Sequence, residues 1–219
     1  LGGFAKGERG RIRLLSNTGA LLGLLPRALG RFLLEHPGLD IDIGEQPSIE
    51  IVRLVTERAA ELGVIADVVD VGGLRFHPLA EDRLFIVAAS SHPLANEQQV
   101  AFADLLREPL IGLLGTALDR HLAEHAARRG ARLSYCVRLR GIGDVCRMVE
   151  AGVGVAILPE STLPELEGMA VRAVPLAEPW GRRRLALCCR DEDELSPHAR
   201  LLFDHLRAVA VDLMEGGQQ

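Results

Sequence analysis

Strands and helices alternate along almost the whole of this 219-residue chain, and the alternation predicts an α/β fold built as two βα-rich lobes. Three stretches carry the prediction. Residues 137–161, VRLRGIGDVCRMVEAGVGVAILPES, read as strand, helix, strand and stop. Val137 and Leu139 alternate, and Gly141 and Gly143 then break the strand; Asp144 opens a helix with Val145, Met148 and Val149 three and four positions apart on one face. Gly152 and Gly154 end that helix, Val155, Ala156, Ile157 and Leu158 form an unbroken apolar strand of the doubly buried kind, and Pro159 closes it. Residues 11–43 repeat the same order, strand then helix then strand. Between the two groups of units lies the wholly apolar run 84–89, LFIVAA, which reads as a point where the chain crosses from one lobe to the other.

The polar, glycine-bearing residues 2–10 read as a connector, and Leu at position 1 points to a trimmed start. A first strand spans 11–16, with Ile12 and Leu14 on one face and Leu15 on the other. Ser16, Asn17 and Thr18 then supply capping groups for a helix carrying Leu21, Leu24, Leu25, Ala28, Leu29, Phe32 and Leu33 at helical spacing. Pro26 must sit in its first turns or kink it, and His36-Pro37-Gly38 stops it. Leu39, Ile41 and Ile43 alternate with Asp40 and Asp42 as a second strand, and Gln46-Pro47-Ser48 caps a helix over 49–60. Short strands follow at 62–66, 74–79 and 83–89, with a loop at 68–73. The second half holds a helix at 102–107, a strand at 110–114 and a helix from Thr116, which forms a capping pair with Asp119, to Gly130. It closes with strands at 171–174 and 185–189 and a last helix from 198 to about 214, introduced by Ser196-Pro197.

Composition narrows the function classes. Hydrophobic content of 48% and charged content of 25% describe an ordinary globular chain with ample core. A net charge of -5 gives no overall basic footprint for nucleic acid. The groups Arg128-Arg129-Arg132 and Arg182-Arg183-Arg184 have no interleaved aromatic residues, so they read as solvated faces or the rim of a subunit contact. Cys136, Cys146, Cys188 and Cys189 lack the paired spacing of a zinc or redox motif and read as reduced core thiols of a cytoplasmic protein. No apolar run reaches the roughly 18 residues that a spanning helix needs, so no membrane partner is expected.

Taken in order, several stretches resemble the effector-binding domain of LysR-type transcriptional regulators. RIRLLSNTGALLGLLPRALGRFLLEHPGLDIDI is similar to that family's first strand, proline-containing helix, HP stop and second strand. PLAEDRLFIVAASSHPLA resembles its hinge strand and HPL turn, and GDVCRMVEAGVGVAILPES its VAAGLGIALLP segment. One departure is clear: Gly63 stands where the family's GELDLAI strand carries Asp. The resemblance implies a periplasmic-binding-protein-like (type 2) fold, two α/β lobes joined by two crossing strands, with a small-molecule cleft between them. The divisions it suggests are a residual linker at 1–9, lobe I at 10–84 plus 185–219, and lobe II at 85–184. It further implies that DNA is contacted only through an N-terminal winged helix-turn-helix absent from this chain. Regulatory domains of the family pair side by side and antiparallel into a homodimer or tetramer, here through the helices from Leu21 and Ala117.

In such a fold the carboxyl ends of the strands, and the helix N-termini that follow them, face the cleft. Thr18, Ser48 and Thr116 each sit between a strand and a helix, where they either cap the helix or hold an anion. By resemblance Thr18, Gly19 and Ser48 contact the effector in the first lobe and the Thr116 region does so in the second; Asn17, Ala66 and Ile142 complete the expected site for a small organic anion. No catalytic residue, metal or cofactor is expected. There is no G-x-S-x-G elbow, and the glycines at 141, 143, 152 and 154 lack the dinucleotide-binding spacing. His121 and His125 are four apart on one helix but outside the H-E-x-x-H order, so they read as a solvated helical face rather than a metal site. A solute-binding protein of an ABC-type transporter, which can share the fold, is the alternative function.

Overall fold

The structure is a computed structural model that describes residues 10–66 and 73–216, with 211–216 as helix backbone only. The expected linker at 1–9 and most of the expected loop at 68–73 lie outside the described residues. The chain divides into two compact units, one made of the residues up to Ala80 together with those from Arg184 onward, the other of Glu81–Arg183.

The first unit is a twisted sheet with helices on both faces. Strand β1 (Gly10–Ser16) lies between β2 (Leu39–Glu45) and β3 (Leu62–Ala66), parallel to both, and β9 (Arg182–Cys189) adds antiparallel to β3. Side-chain alternation splits these strands between two cores, as a period of two requires. Ile12, Leu14, Leu62, Val64, Leu185 and Leu187 face α2 (Leu24–Glu35) and α7 (Pro197–Gly216), meeting Leu25, Phe32, Leu202 and Phe203. Leu15, Ile65, Ala186 and Cys188 face α3 (Ser48–Thr56), meeting Ile51, Val52 and Val55. Adjacent Cys188 and Cys189 therefore point to opposite layers, and burial pushes their thiols up to about 12 and about 11. Cys146 is buried as well, whereas Cys136 is exposed, so the core assignment holds for three of the four thiols.

Gly63 is explained by this packing. A Cβ there would stand 2.9 Å from Cys188 Sγ and 3.3 Å from Val55 Cγ2, and closer still to Ile51 Cγ2. Helix α3 rests directly on the strand at this glycine.

The helix expected behind β1 is two helices. A short α1 (Thr18–Leu22) ends at Gly23, whose backbone angles of φ -104° and ψ -83° break the run, and α2 begins anew with Pro26 in its first turn, where the missing N–H costs no hydrogen bond. The two strands expected at 74–79 and 83–89 are one 15-residue strand, β4 (Arg75–Ala89). Pro78 is exposed on it, and Asp82, which reads as a break, is held inside by an ion pair. Both β4 and β9 carry the chain across the boundary between units.

In the second unit the latter half of β4 lies between β7 (Ala156–Pro159) and β8 (Val171–Pro175), antiparallel to both. A parallel pair, β5 (Leu110–Leu113) and β6 (Tyr135–Leu139), joins through a bridge from Leu110 to Val155. Leu84, Ile86, Leu110 and Ile157 pack with Phe102 and Leu105, from α4 (Phe102–Leu105). Leu118, Leu122 and Ala126 of α5 (Ala117–Arg128) complete that core. Helix α6 (Ile142–Glu150) turns Val145, Cys146 and Val149 inward and packs against β5, β7 and β8.

Candidate functional site

The three parallel strands of the first unit end together. Ser16 pairs with Glu45 on one side and Val64 on the other, so the carboxyl ends of β1, β2 and β3 form one edge. The chain crossing that edge is tied down twice, Asn17 N donating to Val64 O and Gln46 N to Ser16 O, both at 3.0 Å. Carboxyl edges of this kind are where open α/β sheets bind ligands.

Asn17, not Thr18, caps α1: its Oδ1 accepts from Ala20 N at 2.8 Å. Thr18 thus becomes the first helical residue, and its hydroxyl donates across the edge to Glu45 Oε1 at 2.5 Å. Ser48 departs from the capping role in the same way. The cap position of α3 is Pro47, and Ser48 Oγ accepts from Ala66 N at 2.9 Å, bracing the end of β3. Asn17 and Thr18 are only 4% and 2% exposed, and Gly19 is buried behind them. The Asn17 amide nitrogen has no acceptor among the described residues, an expensive condition for a buried donor. Five of the expected residues, Asn17, Thr18, Gly19, Ser48 and Ala66, are thereby brought to one edge.

The second-unit residues behave differently. Thr116 does cap its helix, accepting from Asp119 N at 3.1 Å and donating to Leu113 O at 3.1 Å, so both its roles are taken up locally. The cavity beside it, lined by Leu110, Leu113, Thr116, Tyr135 and Ile157 among others, measures about 10 Å³ and has room for no more than a water. Ile142 is the first residue of α6, half-buried, and its cap residue Gly141 brings no side chain.

Three features escape the sequence reading. Glu45 belongs to the edge, and its only signal is that it ends β2 as a charged residue in phase with the apolar Leu39, Ile41 and Ile43. His121 and His125 are not on a solvated face. His125 stacks on Trp180 at 4.0 Å and 16°, His121 meets both rings edge-on, and burial drives the His121 pKa down to about 3. Trp180 comes from a short 3-10 turn, Pro179–Gly181, far along the chain, which the periodicity of α5 cannot announce. No group of three His, Cys, Asp or Glu that could hold a metal ion occurs among the described residues. Arg183 is likewise no surface arginine: it is 5% exposed and paired with Asp82, 4% exposed, because β9 starts three residues earlier than its apolar run and alternation turns Arg183 inward. Burial raises the Asp82 pKa in spite of the guanidinium beside it.

Comparison with known proteins agrees with this architecture. The chain is similar over 197 residues, at 28% identity, to the uncharacterized HTH-type transcriptional regulator YbhD of Escherichia coli K12, covering 90% of this chain and 62% of that protein. It is similar at 25% identity to the HTH-type regulator YwbI of Bacillus subtilis 168, covering 87% and 64%. The chain thus spans under two thirds of the length of these relatives. Among solved structures, the BenM effector binding domain with its effector benzoate superposes with a TM-score of 0.69 at 21% identity, over 97% of this chain and 96% of that one. The Synechocystis PCC6803 CcmR regulatory domain in complex with 2-PG gives 0.70 at 21%, over 92% and 98%. At those identities they show the fold, the periplasmic-binding-protein-like type 2 arrangement. The family model of the LysR substrate binding domain matches residues 5–211, and the chain belongs to that family.

Proposed function

We propose that this chain is the ligand-sensing domain of a LysR-type transcriptional regulator and that it holds a small organic acid at the strand edge of the first unit, at Asn17, Thr18, Gly19, Ser48 and Ala66. The observation that carries the site is the departure of Thr18 and Ser48 from capping: their hydroxyls lie along the strand edge instead of closing their own helices. Benzoate and 2-PG, named with the two solved relatives, support the ligand class. The family model and the HTH-type relatives favour a regulator over a transporter's solute-binding protein, and a regulator does its work in the cytoplasm without catalysis or a cofactor.

A ligand shifts an equilibrium only by its differential affinity for the states involved. The effector therefore acts by favouring one arrangement of domains or subunits, which biases a DNA-binding module carried elsewhere in the regulator. Subunit pairing runs through the helices from Leu21 and Ala117, now resolved as α1–α2 and α5. Leu34, 86% exposed on α2, and its neighbour Leu33 favour that contact. A thermal-shift screen against small organic acids identifies a ligand, since binding to the folded state alone raises stability. Calorimetry on Thr18→Ala and Ser48→Ala then tests the site: each is expected to weaken binding at least 10-fold, and unchanged affinity in both would sink the assignment.

A further inference from the structure

Strands β4 and β9 carry the chain across the boundary between the units, and they are neighbours in one sheet. The boundary falls after Ala80 on β4 and after Arg183 on β9, so Asp82 and Arg183 both lie at the second unit's end of a crossing. On β4 the alternate positions Ala80, Leu84, Ile86 and Ala88 pack in apolar clusters, and Asp82 is the charged member of that row. On β9 the row is Arg183, Leu185, Leu187 and Cys189, and Arg183 is its charged member. Each crossing strand therefore carries one buried charge in an otherwise apolar row, and the two charges meet.

Stability does not account for the pair. Burial raises the Asp82 pKa in spite of the guanidinium, so desolvation of the carboxylate outweighs its pairing. Arg183 Nε is buried with no acceptor among the described residues. A pair desolvated this far and incompletely hydrogen-bonded is often matched or exceeded in stability by apolar side chains of similar volume. What apolar side chains do not supply is alignment. Sliding β9 by one residue turns its side chains to the other face, which apolar burial already forbids. Sliding it by two keeps the faces and puts one apolar residue where another stood. Only Asp82 and Arg183 register that change, because each is then a buried charge without its partner.

We infer that Asp82 and Arg183 are a register clamp: they fix which residue of β9 stands beside which residue of β4 where the two strands enter the second unit. The clamp supplies a single alignment rather than stability. For a sensing domain the consequence is that a ligand selects among few, well-defined arrangements, since sliding of the crossing strands is not among them. The clamp stands apart from the effector-site reading, and its test needs no ligand.

The double variant Asp82→Leu with Arg183→Met separates alignment from stability. The full chain is compared with the wild type by chemical denaturation, by proton–nitrogen correlation NMR and by amide hydrogen exchange. The double variant is expected to unfold close to the wild-type midpoint. It is also expected to show a second set of resonances for the crossing strands, and exchange at 82–84 and 183–185 faster by about 10-fold through local opening, with β1 unchanged. Asp82→Glu with Arg183→Lys keeps both charges and is expected to retain the single set of resonances and the slow exchange. A double apolar variant with one set of resonances and wild-type exchange overturns the clamp. So does a double apolar variant that fails to fold or is much less stable, because the pair is then a source of stability. Two sets of resonances in the charge-keeping variant also overturn it, since the charges would then not be what aligns the strands.

Discussion

Replacing Gly63 with alanine puts a methyl group where the molecule already has atoms. The added carbon would lie 2.9 Å from Cys188 Sγ and 3.3 Å from Val55 Cγ2, with Ile51 Cγ2 nearer than either. Ile51 cannot swing aside easily, because a β-branched residue inside a helix has essentially one χ1 rotamer. Relief must therefore come from lifting α3 off β3, and overpacking of this kind costs about 1–3 kcal/mol. For a chain of this size that corresponds to a fall in Tm of about 2–4 °C for each kcal/mol. Gly63→Asp puts a carboxylate among Ile51, Val55 and Cys188 and is expected to lose more than Gly63→Ala. The assay is guanidinium unfolding followed by circular dichroism, run as a cycle with Ile51→Ala. Ile51→Ala alone makes a cavity and destabilises, but in its presence the alanine at 63 is expected to cost about 1 kcal/mol less than in the wild type, since contacting residues couple on this scale. A Gly63→Ala protein as stable as the wild type, or a cycle that is additive, would refute the packing argument.

Two further outcomes are expected. Asp82→Asn leaves Arg183 charged and buried without its partner and is expected to lose about 3–5 kcal/mol by chemical denaturation. The double variant Asp82→Leu with Arg183→Met is expected to recover most of that loss, and a double variant worse than the single one would refute it. His121 contributes to the pH dependence: the folded chain holds its imidazole neutral down to about pH 3, while the unfolded chain protonates it near the ordinary histidine value of 6.5. More protons are then bound unfolded than folded between those limits, so stability is fully present above pH 6.5 and falls as pH drops toward 3, by at most about 1.4 kcal/mol per pH unit for one proton. His121→Phe is expected to flatten the slope measured between pH 7 and 5, and an equal slope in both proteins would show that the ring is protonated when folded.

The strand edge that matters most was legible in outline. Asn17, Thr18 and Ser48 announce themselves as small polar residues between a strand and a helix, because helix starts need such groups. What the sequence leaves open is which of them caps. Asn17 takes that role for α1 and thereby turns Thr18 toward Glu45, a choice that depends on where β2 ends relative to β1. Ser48 is drawn to Ala66, 18 residues away, by the register of β3 beside β1. Thr116 bonds within its own turn, to Leu113 and Asp119, and caps as its spacing with Asp119 suggests.

By itself the sequence determined the alternation of strands and helices, the two faces of the first strand and the resemblance to the family, because these rest on period, punctuation and order, which are properties of neighbours in the chain. Only the tertiary structure decided the pairing of Glu45 with Thr18, the burial of Arg183 against Asp82 and the packing of His121 on Trp180. Each of those joins residues from 27 to 101 positions apart, and a polar side chain's role is set by the partner that desolvation forces it to find.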